Sequence, residues 1–397
     1  MTAPSLGRPV LLLTLALLVT RVGAAAAYLG VAWEVWNLTH SALWDTAALV
    51  ATGGLAGVVP MLTAPLADRL DRRTVMVVSQ ALSAVTWLLL AAFPTPWGLV
   101  LLGVVSVVVE SPFFVAVEAS VPNLVPDDAA LTRANSFMTL TFAASWLVGP
   151  VVAAVLMGVR GVSAVFVLNA VTSAVAAVVI SRIRGRFQEG AATATTTEPR
   201  DGGVLAGLAV VRRTPLLRVL LVGWFVAMLG FDGGNVVFAP LAESRGAGPL
   251  AYALGLVGWG LGLAVGAALG GRMRPGSEQL GLTLSLGVAA LGFTGMGLAP
   301  TWAMTAVATA IAGIGFGIAF VADASLVQRA APDAVRARVR AVIDGATTAA
   351  GLGSMLLAGV LMALVGPGAF LVVGGALVAV GAVLVRPARS PALAVSS

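Results

Sequence analysis

Twelve apolar stretches, each about as long as a membrane-crossing helix, follow one another along the 397 residues. A helix needs about 20 mainly apolar residues to span about 30 Å of hydrocarbon. The stretches run roughly Pro9–Trp36, Trp44–Leu66, Thr74–Phe93, Trp97–Val117, Leu131–Met157, Val162–Ile180, Leu216–Leu241, Leu250–Leu269, Leu280–Ala299, Trp302–Ala322, Val339–Val365 and Ala369–Val385. Only 10% of the residues are charged, against about 25% in an ordinary soluble domain. A water-soluble fold is therefore excluded, and an all-α membrane protein of twelve transmembrane helices is predicted. The run Val10–Val19 followed by Ala24–Ala27 has the look of a cleavable signal peptide. Its apolar character continues through Trp36, and removing it would leave an odd span count, so it reads as an uncleaved first span.

All 23 basic residues are arginine, and twenty of them fall in alternate connections. These are Arg8, Arg69, Arg72, Arg73, Arg133, Arg182, Arg184, Arg186, Arg200, Arg212, Arg213, Arg218, Arg272, Arg274, Arg329, Arg336, Arg338, Arg340, Arg386 and Arg389; the opposite connections hold Arg160 and Arg245. The positive-inside rule then places both termini in the cytoplasm. Topology alone explains the basic excess, so no nucleic-acid partner is implied. There is no Cys or Lys and one histidine, His40. Thiolate metal sites, a histidine metal cage, a Ser-His-Asp triad and a Walker loop are thereby excluded. Gly313-Ile-Gly315-Phe-Gly317 is spaced for close helix contact rather than phosphate binding. No enzyme activity, cofactor or metal is expected.

The two halves repeat at a displacement of 205 positions. Trp97 maps on Trp302, Glu118 on Asp323, Gly53 on Gly258 and Gly57 on Gly262, while Pro126-Asp127 maps on Pro332-Asp333 one position further on. Residues 185–214 between the halves open with a Gly-, Ala- and Thr-rich polar linker. They close on Val204, Leu205, Leu208 and Val211 ahead of Arg212-Arg213, the pattern of a helix lying on the membrane surface. Residues 1–184 and 215–397 are thus expected to form parallel six-helix bundles with a transport site between them.

Ala64-Pro-Leu-Ala-Asp68-Arg69-Leu-Asp71-Arg72-Arg73 resembles the signature of the major facilitator superfamily between helices 2 and 3, with Ala64 and Asp71 in place of its two glycines. The resemblance implies that Asp68 meets the start of span 11 near Arg338 or Arg340, and that Arg72 pairs with Glu118. Asp323 would be Glu118's counterpart in the second half, where the motif is reduced to Gly270-Gly-Arg272. Ser145-Trp-Leu-Val-Gly149-Pro150-Val-Val-Ala153-Ala154 resembles the helix-5 pattern of the antiporters; a plain small-residue packing seam is the other reading. Pro122–Ser136 and Arg212–Arg218 are similar to segments of the bacterial drug, macrolide and siderophore exporters.

A charge at mid-membrane costs about 2.5–3.5 kcal/mol on insertion scales, so each needs a reason. Arg21 in span 1 and Glu110 in span 4 lie at such depths. They read either as a fixed ion pair or as a protonation switch, with Glu110 ionised beside Arg21 and protonated when the two separate. Asp232 lies in span 7 within Gly230-Phe-Asp-Gly-Gly-Asn235, where two glycines loosen the helix and no obvious arginine partner lies at its depth in the second half. Asn235 belongs to the same site. Glu34 and Asp45 read as interfacial or gate residues, and Asp344 as a local partner of Arg340. Tyr28, Phe113, Trp146, Phe231 and Phe316 are candidates to line an apolar cavity, with packing as the competing role. Trp36, Trp44, Trp97 and Trp302 form an outer interfacial belt.

The resulting expectation is a monomeric proton-coupled antiporter of the bacterial inner membrane that exports a lipophilic small molecule. Its partners are that substrate, protons and the lipid bilayer. The alternatives are a transporter of siderophores, lipids or other amphipathic metabolites, and a transport-inactive receptor or assembly subunit.

Overall fold

The computed structural model describes residues 7–60, 62–63, 69–125, 127–184, 187–188, 203–274, 276–332 and 335–387. Among them the secondary structure is helical throughout. The N-terminal set comprises α1 (Arg8–Thr39), α2 (Ala42–Thr52), α3 (Arg72–Ala92), α4 (Pro96–Leu124), α5 (Asp128–Arg160) and α6 (Val162–Arg182). A linker helix α7 (Gly203–Arg213) precedes the second set, α8 (Pro215–Phe231), α9 (Gly233–Ser244), α10 (Pro249–Gly270), α11 (Glu278–Leu298), α12 (Trp302–Ala330), α13 (Arg336–Val365) and α14 (Pro367–Leu384). Among the described residues, eleven helical segments are long and apolar enough to cross a membrane, α8 and α9 counting as one. Span 2 departs from the expected uniform helix: α2 stops at Thr52 and gives way to a 3-10 turn over Gly54–Gly57. The Gly53-Gly54 pair supplies the reason, since glycine raises the cost of continuing a helix.

Burial is inverted relative to a soluble protein. Leu88, Leu101, Val175, Leu284, Leu291 and Leu356 face outward, whereas Gln80, Ser83, Asn169 and Ser173 are fully or almost fully buried. With hydrocarbon outside, leucine gains nothing by burial, and polar groups must find partners within the bundle. Ser83 and Ser173 accordingly lie 3.3 Å apart between α3 and α6.

The repeat appears in the backbone as well as in composition. Gly161 and Gly366, also 205 positions apart, join α5 to α6 and α13 to α14, both at φ +80°. A side chain there would meet nothing within 4 Å. The requirement for glycine comes from the backbone conformation, which other residues rarely adopt.

Small residues set the closest packing. Added Cβ atoms on Gly262 and Gly266 of α10 would each stand 2.2 Å from a carbonyl oxygen of α12, that of Ala310 or Ile314. Gly313 and Gly317 return the fit against Trp259 and Leu263, and Gly315 packs on Ser285 and Ala289 of α11. The glycine run of span 10 is thus a helix-contact device. Gly149 of the helix-5 pattern does the same against Ala25 and Ala26 of α1, so that segment is a packing seam whatever further role it has.

The linker helix α7 has protein against part of its length. It docks on the start of α13: Val211 is buried, and a Cβ on Gly207 would stand 2.5 Å from the carbonyl oxygen of Arg338. Protein, not lipid, covers that part of its apolar stripe.

Candidate transport site and gates

Span 7 breaks at Asp232, between α8 and α9. The break releases a carbonyl and an N–H that lipid cannot satisfy. Ser354 of α13 takes both: its hydroxyl donates to the Leu229 carbonyl at 2.7 Å and accepts the Gly233 N–H at 2.8 Å. Asn235 donates its side-chain amide to the Asp232 carbonyl at 3.1 Å. The half-buried Asp232 carboxylate rests against Gly351, where a Cβ would lie 2.0 Å from its Oδ2. The expected loosening of the helix is therefore present, with a serine on the facing helix that the sequence reading did not single out. Replacing Ser354 by Ala leaves two buried backbone groups unpaired and should destabilise the protein by about 1–3 kcal/mol. A lowered melting midpoint in detergent, with Ser354→Thr closer to the parent, is the expected measurement.

In the N-terminal set Glu110 on α4 is buried, and its Oε1 has no hydrogen-bond partner among the described residues. Arg21 does not pair with it. The guanidinium donates to the Met138 carbonyl and to Thr141 Oγ1 on α5, both at 2.7 Å. It lies over the rings of Phe114 and Phe142 at 5.8 and 5.7 Å. Its Coulombic partner is Glu118, two turns nearer the arginine-rich end of α4. The fixed Arg21–Glu110 ion pair is corrected: α5 offers Arg21 two oxygens and two aromatic faces that satisfy it at lower desolvation cost than burying a second charge.

The aromatic candidates divide. Tyr28 and Trp146 are half-buried and meet edge-to-face at 6.2 Å. Phe231, also half-buried, packs on Trp259 at 5.3 Å and on Phe316 at 4.4 Å. Phe113 and Phe316 are fully buried within their own halves and line no open cavity in this conformation. Their helices close on these rings because α4, α11 and α12 offer small or apolar surfaces around them.

On the arginine-rich side, Arg72 donates to the Ala119 carbonyl at 2.7 Å, next to the exposed Glu118, and Arg73 donates to the Ser181 carbonyl. Arg69 is exposed, and Asp68 lies outside the described residues. Arg340 bridges Asp323 at 2.7 Å and Asp344 at 2.8 Å, joining α12 to α13. Arg338 stands at the point where α7 docks. Glu278 and Arg329, which sequence reasoning passed over, tie the start of α11 to the end of α12 at 2.7 Å. No spacing rule in the sequence links two residues so far apart.

The arginine-poor side is locked across the halves. Trp36 Nε1 donates to Glu243 Oε2 at 2.5 Å, and His40 Nε2 lies 3.0 Å from Glu243 Oε1. Trp33 packs on Tyr252 with ring centres 5.2 Å apart, and Thr46 of α2 fits against Gly359 of α13. Trp36 and His40 thus also bridge the two halves, while His40 stays largely exposed. Trp302 also turns inward, donating to the Ala251 carbonyl at 2.6 Å.

Residues 10–354 match the Major Facilitator Superfamily. The chain belongs to that superfamily. It is 30% identical over 329 residues to YfiS of Bacillus subtilis (strain 168), an uncharacterised MFS-type transporter, covering 80% of this chain and 78% of that protein. It is 27% identical over 374 residues to the multidrug efflux pump Tap of Mycolicibacterium fortuitum, covering 89% of each. The fold matches a POT family transporter bound to a thioalcohol-conjugated peptide, with a TM-score of 0.72 at 15% identity over 95% of each chain. It also matches a bacterial homologue of the lysosomal transporter Spinster, in an inward-facing state, with a TM-score of 0.71 at 14% identity over 96% and 98%. This superfamily member is a multi-pass membrane protein with the transporter fold.

Proposed function

We propose that this superfamily member is a proton-coupled antiporter that exports lipophilic small molecules across a bacterial inner membrane. Its arginine-rich face is cytoplasmic, and residues 1–184 and 215–397 rock about the central contacts as halves joined by 185–214. It works as a monomer. The observation that carries this reading is Asp232, a carboxylate at a helix break with no cation paired to it among the described residues. A carboxylate in that position is neutralised most cheaply by a proton, and a proton bound in competition with substrate is what antiport requires. Glu110 supplies the same chemistry in the other half. In this conformation Arg21 is turned away from it, and in the opposite one Arg21 would meet the ionised Glu110. Tyr28, Trp146 and Phe231 offer the cavity its apolar wall, and likeness to a multidrug efflux pump supports a lipophilic cargo. By resemblance, Asp68 engages the start of α13 as part of the cytoplasmic gate, with Arg69, Arg72 and Arg73 beside it.

The test is uphill transport in proteoliposomes across a panel of lipophilic drugs, driven by an imposed pH gradient. The expected result is accumulation that a protonophore collapses and that Glu110→Gln with Asp232→Asn abolishes, leaving downhill exchange intact. Undiminished uphill transport by the double variant would remove both carboxylates from the coupling.

A further inference from the structure

Asp45, in the first turn of α2, is fully buried, and neither of its carboxylate oxygens has a hydrogen-bond partner among the described residues. Burying an ionised carboxylate without a partner is among the costliest things a fold can do, and the usual escape is to bind a proton.

The surroundings show what buries it. The next residue, Thr46, faces Met355 and Gly359 of α13 in the other half. Tyr252 of α10, which packs on Trp33, lies within Coulombic range of Asp45 from across the interface. Tyr28 of α1 is in range from its own half. Among the described residues, these two tyrosines are the ionisable groups shown to be in range of Asp45. Glu34 and the Trp36–His40–Glu243 lock belong to the same end of the molecule, but the lock is closed on itself. No arginine among the described residues pairs with Asp45. Asp45 thus sits in α2 next to the contact that Thr46 makes with α13, and within range of Tyr252 of α10, so separating those helices would open a path for water to it.

We propose that Asp45 is the proton-binding group of the outer gate: the arginine-poor side closes only over a protonated Asp45, and opening that side hydrates and ionises it. The proposal rests on the antiport reading and deepens it. A proton taken from the outer compartment after substrate leaves would license closure, giving the return step its dependence on the outer pH. Tyr28, in Coulombic range of both Asp45 and Asp232, stands between the gate and the central carboxylate.

The sign follows from linkage. The closed state holds one proton more than the open state, so raising the pH favours opening, by up to about tenfold in the open-to-closed ratio per pH unit. The absence of cysteine permits clean spin labelling of Phe93→Cys and Leu364→Cys, both exposed at the arginine-poor ends of α3 and α13. The full-length protein in lipid nanodiscs is read by double electron–electron resonance from pH 5 to 9. The parent should pass from a short to a long distance as pH rises. Asp45→Asn, nearly isosteric and uncharged, should stay short throughout, and Asp45→Glu should regain the transition. A parent that does not respond to pH, or an Asp45→Asn variant that titrates like the parent or is open throughout, overturns the proposal. The same pair in the Glu110→Gln, Asp232→Asn background separates the two ideas. There the gate should still titrate, even if uphill transport by that variant has already ruled out the antiport reading.

Discussion

Gly262→Leu should leave little folded protein. A Cβ at that position would stand 2.2 Å from the Ala310 carbonyl oxygen and 3.0 Å from the Ile314 nitrogen. Both are backbone atoms, so no rotamer change relieves the overlap, and α10 and α12 must separate along a seam also held by Gly266, Gly313 and Gly317. Overpacking a well-fitted core costs about 1–3 kcal/mol and occasionally more. In a membrane the helices associate through this close packing rather than through a hydrophobic drive, which places the seam at or above the upper end. Gly57, the repeat counterpart, provides the control. The atoms nearest its added Cβ belong to the Thr348 side chain, the first at 2.5 Å, and a side chain can turn aside where a backbone cannot. Gly57→Ala should therefore purify as a single species with a nearly unchanged melting midpoint. Gly262→Leu should aggregate on solubilisation, as read by fluorescence-detected size exclusion.

Arg340→Ala should cost about 3 kcal/mol, the lower end of the range for breaking a buried pair. The Asp323 carboxylate is almost completely buried, and one of its oxygens has no other partner among the described residues. Removing Arg340 strands that charge. Arg340 is itself nearly half exposed, and water screens part of its attraction, which keeps the figure from the top of the range. Asp323→Asn added to Arg340→Ala should recover most of the loss, because the neutral amide has no charge to strand. A double-mutant cycle on melting midpoints, with Asp344→Asn as the exposed reference, separates the two partners. Equal losses from Asp323→Asn and Asp344→Asn would refute the claim that burial sets the cost.

How much of this was legible in the sequence depends on the range of the interaction concerned. Asp344 lies four residues from Arg340, one helical turn, and the local pair follows from helix geometry. The loosening at Asp232 was legible because Gly233-Gly234 act on their own backbone. Ser354, which completes that break from 121 positions away, carried no mark in an apolar helix beyond being polar. Arg21 and Glu110 share a depth, and depth is countable from the sequence. The direction each side chain takes is not, and Arg21 found Met138 and Thr141 instead. Asp45 is the sharpest case: at the end of a span it reads as interfacial, yet the folded chain buries it completely beside the contact of Thr46 with α13.

By itself the sequence determined the membrane setting, the helical architecture, the repeat and the family, since all of these rest on hydropathy, periodicity and local motifs. Tertiary structure alone decided which charges are paired, which aromatics are fully buried and which outer residues join the halves. Those outcomes depend on desolvation and contact between helices distant in the chain. In a bundle where only 10% of residues are charged, the position of each charge in space, more than its presence, decides what it can do.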